Sequence, residues 1–424
     1  EKTNTLTKTA HRLRDLEAWI PHIRALNGSA IYIGPLFESS THGYDTRDFR
    51  LVDRRLGTNE DFAHFVQLCH ENRIRVVVDG VFNHTGREFF AFQDIREKRE
   101  ASPYKDWYRG VNFGWGSPLG DPFGYEAWQG HFELPCLNLW NPDVRQYLFD
   151  SIRFWVDNFD IDGIRLDCAN VLDFGFMKEL REKTSAMKPD FWLMGEVIHG
   201  EYNRWVNPEM LHSVTNYELH KALYSGHNDH NYFEIAHNVR RLEAVGRSLY
   251  TFVDNHDEDR IASKLNNLAN LFPVYQLLFT LPGIPSVYYG SEWGIEGKRS
   301  RTSDEVLRPA LNLSDMHGKA PELASHIAAL GKIHTENDAF HNGSYKELLL
   351  TNRQYAFSRS GEHGTVISAV NNDEQPASIS IPLPCAASDV VSLLPGEIPF
   401  SLENGRLSVT LPANGGAIFK LQEV

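Results

Sequence analysis

Residues 161–167 read Ile161-Asp162-Gly163-Ile164-Arg165-Leu166-Asp167, a short apolar run that ends in two opposite charges. An apolar run this short, set between helix-like or irregular segments, is the pattern of a buried strand. Side chains alternate along a strand, so Arg165 and Asp167 share one face at its C-terminal end. Burying such charges costs several kcal/mol unless they are paired or used. This strand end is therefore a candidate site.

Similar runs lie on both sides of it. Upstream are Ala30-Ile31-Tyr32-Ile33, closed by Gly34-Pro35, and Ile74 to Val78; downstream are Phe191 to Met194, Ser213 to Asn216, Tyr250 to Val253 and Ile284 to Tyr288. Helical faces intervene. Leu13, Leu16, Trp19, Ile20 and Ile23 recur at three- and four-residue spacing, and Phe62, Phe65, Val66 and Cys69 follow Thr58 and Asp61, which have the spacing of a capping box. Alternating strands and helices predict a parallel sheet, and the seven strands up to Tyr288 predict a (β/α)8 TIM barrel in which the first strand is absent from the sequence. Barrel closure pairs every edge, so residues before Glu1 or a partner segment are expected to supply that strand.

The rhythm breaks between His84 and Leu139, where Tyr104, Trp107, Tyr108, Phe113, Trp115, Phe123, Tyr125 and Trp128 crowd a stretch too long for a plain loop. From Gly343 helical patterns cease, and strand-like runs follow at Leu348–Leu350, Tyr355–Ser358, Thr365–Val370, Ala377–Ile381, Leu407–Leu411 and Ala417–Leu421. The expected organisation is a barrel over 1–83 and 139–342, a small inserted domain over 84–138 and a C-terminal β-sandwich over 343–424.

Composition narrows the function classes. A formal net charge of −14 over 424 residues disfavours nucleic acid and anionic membranes as partners. No apolar run approaches the roughly 18 residues of a membrane span. Cys69, Cys136, Cys168 and Cys385 are scattered without C-x-x-C spacing, so free thiols in a reducing, cytoplasmic setting are expected. A signal removed before residue 1 would leave export open.

In a parallel α/β barrel all strand C-termini share one face, which turns strand ends into a site. They carry His84 after Asp79-Gly80-Val81-Phe82-Asn83, Arg165 and Asp167, Glu196 after Gly195, and His256-Asp257 after Phe252-Val253-Asp254-Asn255. These four ordered segments resemble the signature regions of the α-amylase (glycoside hydrolase 13) family. Gly43-Tyr44-Asp45-Thr46 also matches, and Leu134-Pro135-Cys136-Leu137-Asn138 is similar to the fifth region in its cyclodextrinase and neopullulanase-like form.

The resemblance implies that Asp167 is the nucleophile, Glu196 the acid/base and Asp257 the third catalytic carboxylate. Tyr44, His84, Arg165 and His256 would contact the same sugar. The substrate would be an α-glucan oligosaccharide or cyclodextrin with α-1,4 links. Retaining hydrolysis needs two carboxylates roughly 5–5.5 Å apart, and residues one βα repeat apart suit that spacing. Arg165 is expected to hold Asp167 ionised. Glu196 must stay protonated at rest, giving a bell-shaped pH profile whose basic limb it sets.

Structural readings stand beside these. Asp79 is expected to brace Arg165, and the excursion aromatics serve either as sugar platforms or as core. No cofactor is required; calcium at Asn83, a ligand position in many family members, competes with a hydrogen-bonded brace. A nucleophilic pair of His199 with Cys168 or Cys136 lacks an orienting third group. Where many α-amylases carry Lys-His after the nucleophile, this chain has Asp167-Cys168-Ala169-Asn170-Val171, which puts the acceptor side in question. Three functions compete with hydrolysis: transglycosylation by the same family, a catalytically silent barrel like those of transporter subunits, and a metal-dependent barrel using His84, His256 and Asp257.

Overall fold

The computed structural model describes residues 8–424. It divides into two compact units, one of Gly28–Val214 with the lead-in up to Arg24, the other of Thr215–Val424 with Ala25–Asn27.

The first unit is built on a five-stranded parallel sheet. Its strands are β1 (Ala30–Ile33), β2 (Arg75–Gly80), β3 (Gly163–Leu166), β4 (Trp192–Gly195) and β5 (Ser213–Val214), in that spatial order. Parallel neighbours require crossovers. Helices α1 (Asn59–Glu71), α2 (Pro142–Phe159) and α3 (Phe174–Met187) supply the first three, and the link from β4 to β5 carries only a 3-10 turn, Tyr202–Arg204. Helix α1 opens with the expected capping box. Asp61 N–H donates to Thr58 Oγ1 at 3.1 Å, and Thr58 N–H donates to Asp61 Oδ2 at 3.1 Å. The Leu13–Ile23 periodicity forms a broken element, helix to Asp15, 3-10 turn to Trp19 and helix again from Ile20. Pro21 has no N–H with which to continue the ladder. Strand β1 is half-exposed and lies at the edge of its sheet. The segment expected to cover it lies outside the described residues.

Both ends of the 84–138 excursion meet, His84 bridging Cys136 in antiparallel fashion. Inside, Phe92 packs on Tyr108, Phe123 and Tyr125 at 5.1–5.4 Å. Buried Asp121 accepts from Arg87, Ser117 and Tyr125, so its charge is paired rather than stranded.

In the second unit Thr215 bridges Tyr250, and β6 (Tyr250–Thr251) pairs in parallel with β7 (Ile284–Pro285). All seven sequence runs are thus strands, the last three shorter than their apolar stretches. The C-terminal residues form a five-stranded antiparallel sheet and a three-stranded one. The strands are β8 (Ser344–Leu350), β9 (Gln354–Gly361), β10 (Gly364–Asn371), β11 (Ala377–Pro382), β12 (Ala387–Ser392), β13 (Phe400–Glu403), β14 (Arg406–Leu411) and β15 (Gly415–Glu423). Two of the eight, β12 and β13, were not expected.

Candidate active site

The register of the first sheet sets Asp79 of β2 beside Arg165 of β3, and Leu166 beside Gly195 of β4. The ladder continues one residue further, Asp167 N–H donating to Gly80 O and Glu196 N–H to Leu166 O. Gly195 is needed there, since a Cβ would stand 2.6 Å from Leu211 and 2.8 Å from Ala169. Adjacent strand ends therefore deliver both carboxylates to one guanidinium. Arg165 Nη1 donates to Asp167 Oδ1 at 2.8 Å and to Asp79 Oδ1 at 3.0 Å, and its Nη2 lies 3.2 Å from Glu196 Oε2. Cys168 N–H donates to Glu196 Oε2 at 2.8 Å. Tyr32 hydroxyl donates to Asp79 Oδ2 at 2.9 Å, which makes Asp79 the expected brace.

Three carboxylates around one buried guanidinium would leave two negative charges uncompensated. Burial, opposed by Arg165 and reinforced by Glu196 and Asp79, pushes the Asp167 carboxyl well above the usual carboxylate range. Arg165 thus does not by itself hold Asp167 ionised, as expected from sequence, because one guanidinium is shared three ways. The proton this favours belongs to the cluster rather than to one residue. Chemistry requires it on Glu196.

Two further residues flank the cluster. Tyr44 is presented by a tight turn at Gly43, where a φ of +101° and a Cβ that would stand 2.6 Å from Pro35 exclude a side chain. Burial, with Asp79 close by, raises its phenol well above the ordinary value. His84 Nδ1 takes a hydrogen bond from Asn83 Nδ2 at 3.1 Å, and burial pushes the imidazole down to about 4, so the ring is neutral with its proton on Nε2. That Nε2 is buried and makes no hydrogen bond of good geometry, the Tyr44 backbone being the neighbour that opposes the downward shift. Asn83 holds His84 through its amide nitrogen, and among the described residues no group of three or more His, Cys, Asp or Glu side chains could hold a metal ion.

A cleft of about 220 Å³ opens beside Glu196, lined by Asn83, Trp128, Cys136, Cys168 and Asn170. It sorts the excursion aromatics. Trp107 and Tyr125 are buried core, Trp115 is exposed, and Trp128 stands 5.8 Å from the His84 ring. Val171 and Ile198 also reach the cleft, both well exposed. Burial raises the Cys136 and Cys168 thiols, which leaves neither as a nucleophile.

In the second unit the chain beyond β6 forms its own cluster. Asn255 Oδ1 accepts from Asp257 N–H and Glu258 N–H, and buried Asp254 accepts from Ile261 N–H and Ser291 Oγ, which fixes the loop. Asp257 Oδ1 accepts from Arg308 Nη2 at 2.9 Å, and its Oδ2 lies 3.2 Å from His256 Nε2. Arg308 also binds the His256 carbonyl and lies 2.7 Å from Asp304. Sequence reasoning missed Arg308, which sits in irregular chain with no periodicity to mark it.

Paired acids at adjacent ends of parallel strands are the equipment of an α/β-barrel glycosidase. Comparison with known proteins makes the class specific. Residues 12–336 match the family described as Alpha amylase, catalytic domain, and the chain belongs to the alpha-amylase family. It is 30% identical over 96% of its length to a cyclomaltodextrinase of Geobacillus thermopakistaniensis (strain MAS1), covering 70% of that protein. It is 31% identical over 96% of its length to a maltogenic alpha-amylase of Bacillus acidopullulyticus, again covering 70%. The crystal structure of an acarbose-soaked debranching enzyme from Nostoc punctiforme superposes with a TM-score of 0.85 at 28% identity, over 96% of this chain and 88% of that one. The fold class is that of the family, a (β/α)8 barrel with a C-terminal β-sandwich.

Proposed function

We propose that this chain is a retaining hydrolase of α-1,4-glucosidic bonds in maltooligosaccharides and cyclodextrins. Asp167 attacks C1, Glu196 protonates the leaving oxygen and then activates water, and Asp257 supports the oxocarbenium-like transition state. The carrying observation is the single Arg165 guanidinium holding Asp167 and Glu196 at 2.8 and 3.2 Å. His84, Arg165, Tyr44 and His256 grip the sugar of the cleaved bond. The mechanism needs no metal. The substrate class is supported by the named activities of the cyclomaltodextrinase and the maltogenic amylase. A cytoplasmic setting is supported by the likeness to an intracellular maltogenic amylase of Bacillus subtilis at 31% identity.

The test follows products over time, with the anomeric configuration at birth, on maltoheptaose, β-cyclodextrin and pullulan for wild type and Glu196→Gln. Initial α-anomers that vanish in the variant support the proposal. Oligomers longer than the substrate would redirect it to transglycosylation, and a folded wild type that turns over none of the three would redirect it to a silent carbohydrate binder.

A further inference from the structure

Cys168 touches both reacting carboxylates. Its N–H donates to Glu196 Oε2 at 2.8 Å, and its thiol Sγ lies 3.6 Å from Asp167 Oδ2. The contact is built by an unusual backbone. Cys168 is a non-glycine residue in the left-handed region, φ 40° and ψ 48°. Such a conformation costs of order 1 kcal/mol or more and persists where surroundings enforce it. The turn sends the amide toward the neighbouring strand end while the side chain folds back on its predecessor. Burial, with Asp167 and Glu196 close by, keeps the thiol protonated, so it can only donate to the carboxylate.

The two Asp167 oxygens are therefore held unequally. Oδ1 takes a charge-assisted hydrogen bond from Arg165, and Oδ2 takes only a weak S–H bond. We propose that Cys168 is a positioning residue for the double displacement, its thiol holding Oδ2 of Asp167 as the oxygen that attacks C1. This rests on the functional reading above. A weak donor fixes the direction of the attacking oxygen yet is released at little cost. As the Oδ2–C1 bond forms, the bond from C1 to the leaving oxygen breaks, and that oxygen takes the proton of Glu196. Arg165 stays on Oδ1 throughout. In this unit the charged and titratable groups facing Asp167 are Arg165 on its own strand, Asp79 and Glu196 on the flanking ones, and Tyr44 on the loop after β1.

The experiment compares wild type, Cys168→Ala and Cys168→Ser on a maltooligosaccharide with an activated aryl leaving group, over a full pH range. Losing one weak hydrogen bond of about 1 kcal/mol lowers kcat about fivefold with KM within about twofold. The acidic limb moves to higher pH in Cys168→Ala, because ionised Asp167 has lost a donor. Cys168→Ser, which keeps a donor, returns both toward wild type. An unchanged kcat and acidic limb in Cys168→Ala would overturn the proposal. Infrared spectroscopy of the S–H stretch tests the contact without relying on that variant's folding. A hydrogen-bonded band that moves on Asp167→Asn supports the contact, and a band that does not respond overturns it. A wild type inactive on every α-glucan would defeat the functional reading, whereas an active wild type with an indifferent Cys168→Ala defeats this inference alone.

Discussion

The Asp79–Arg165–Asp167–Glu196 cluster and the His256–Asp257–Arg308 cluster are both made where strands end, yet they hold negative charge under opposite conditions. In the first, Asp167 and Glu196 side chains are 14% and 13% exposed and share one guanidinium with a third acid. In the second, Asp257 is 36% exposed and has Arg308 on one oxygen and His256 beside the other. Desolvation and an excess of carboxylates favour a stored proton in the first; in the second the carboxylate is more open to water and has a guanidinium on one oxygen. The function proposed above asks for both conditions, a proton to give to the leaving oxygen and anionic charge for a developing cation.

The comparison is broken most severely at Asp167. Asp167→Asn should lower kcat/KM by about 10⁴-fold or more, as for other enzymes that lose a nucleophile. The same change should stabilise the protein. A carboxyl whose folded-state value is raised contributes stability at low pH that is lost as pH rises through that value, so a permanently neutral amide gains relative to it with increasing pH. Thermal melts should show a gain of about 1–3 °C at alkaline pH and none in acid. A Tm that falls at all pH values would deny the burial cost.

Next in size is Arg308. Removing its charge-assisted bond in Arg308→Ala should cost about 10- to 100-fold in kcat/KM, from roughly 1.5–3 kcal/mol. Asp304→Asn, which frees Arg308 for Asp257, should change it by less than about threefold. Equal losses in both variants would show Asp304 to matter in its own right.

How far these clusters were legible depended on periodicity. Arg165 and Asp167 were placed by strand alternation, and Glu196 by the ladder one repeat on. Arg308 lies just after a 3-10 turn, Glu305–Leu307, and no repeat of three, four or two points to it. The thiol contact of Cys168 depends on a left-handed backbone angle that no residue type there announces. In the C-terminal sheets the same rule held. Strand β12 buries only Val390, and β13 buries none of its residues, so neither shows apolar alternation. The shortened strands β5, β6 and β7 have a related cause. Their runs continue only as single contacts, as where Thr215 bridges Tyr250 and Asn216, its N–H on Tyr250 O, turns its side chain to cap α4 (Tyr217–Asn228).

A smaller perturbation tests the stored proton itself. Asp79 raises the Asp167 carboxyl through its charge, so Asp79→Asn should loosen the proton and move the acidic limb of kcat/KM, which ionised Asp167 sets, to lower pH. Arg165 retains two carboxylate partners in that variant, and loss of maximal activity should be modest beside the shift. Were the limb to stay fixed while activity collapsed, Asp79 would be acting as a brace for Arg165 alone. The smallest expected effect is that of a chelator. Among the described residues no group of three or more His, Cys, Asp or Glu side chains could hold a metal ion, and the proposed chemistry is carried by carboxylates. Activity and Tm should therefore be unchanged within error after exhaustive EDTA dialysis. A drop in Tm restored by calcium would assign the 84–138 excursion a structural ion, and a loss of kcat at constant Tm would move the metal into the chemistry, against a division of labour between a proton store and an anionic support.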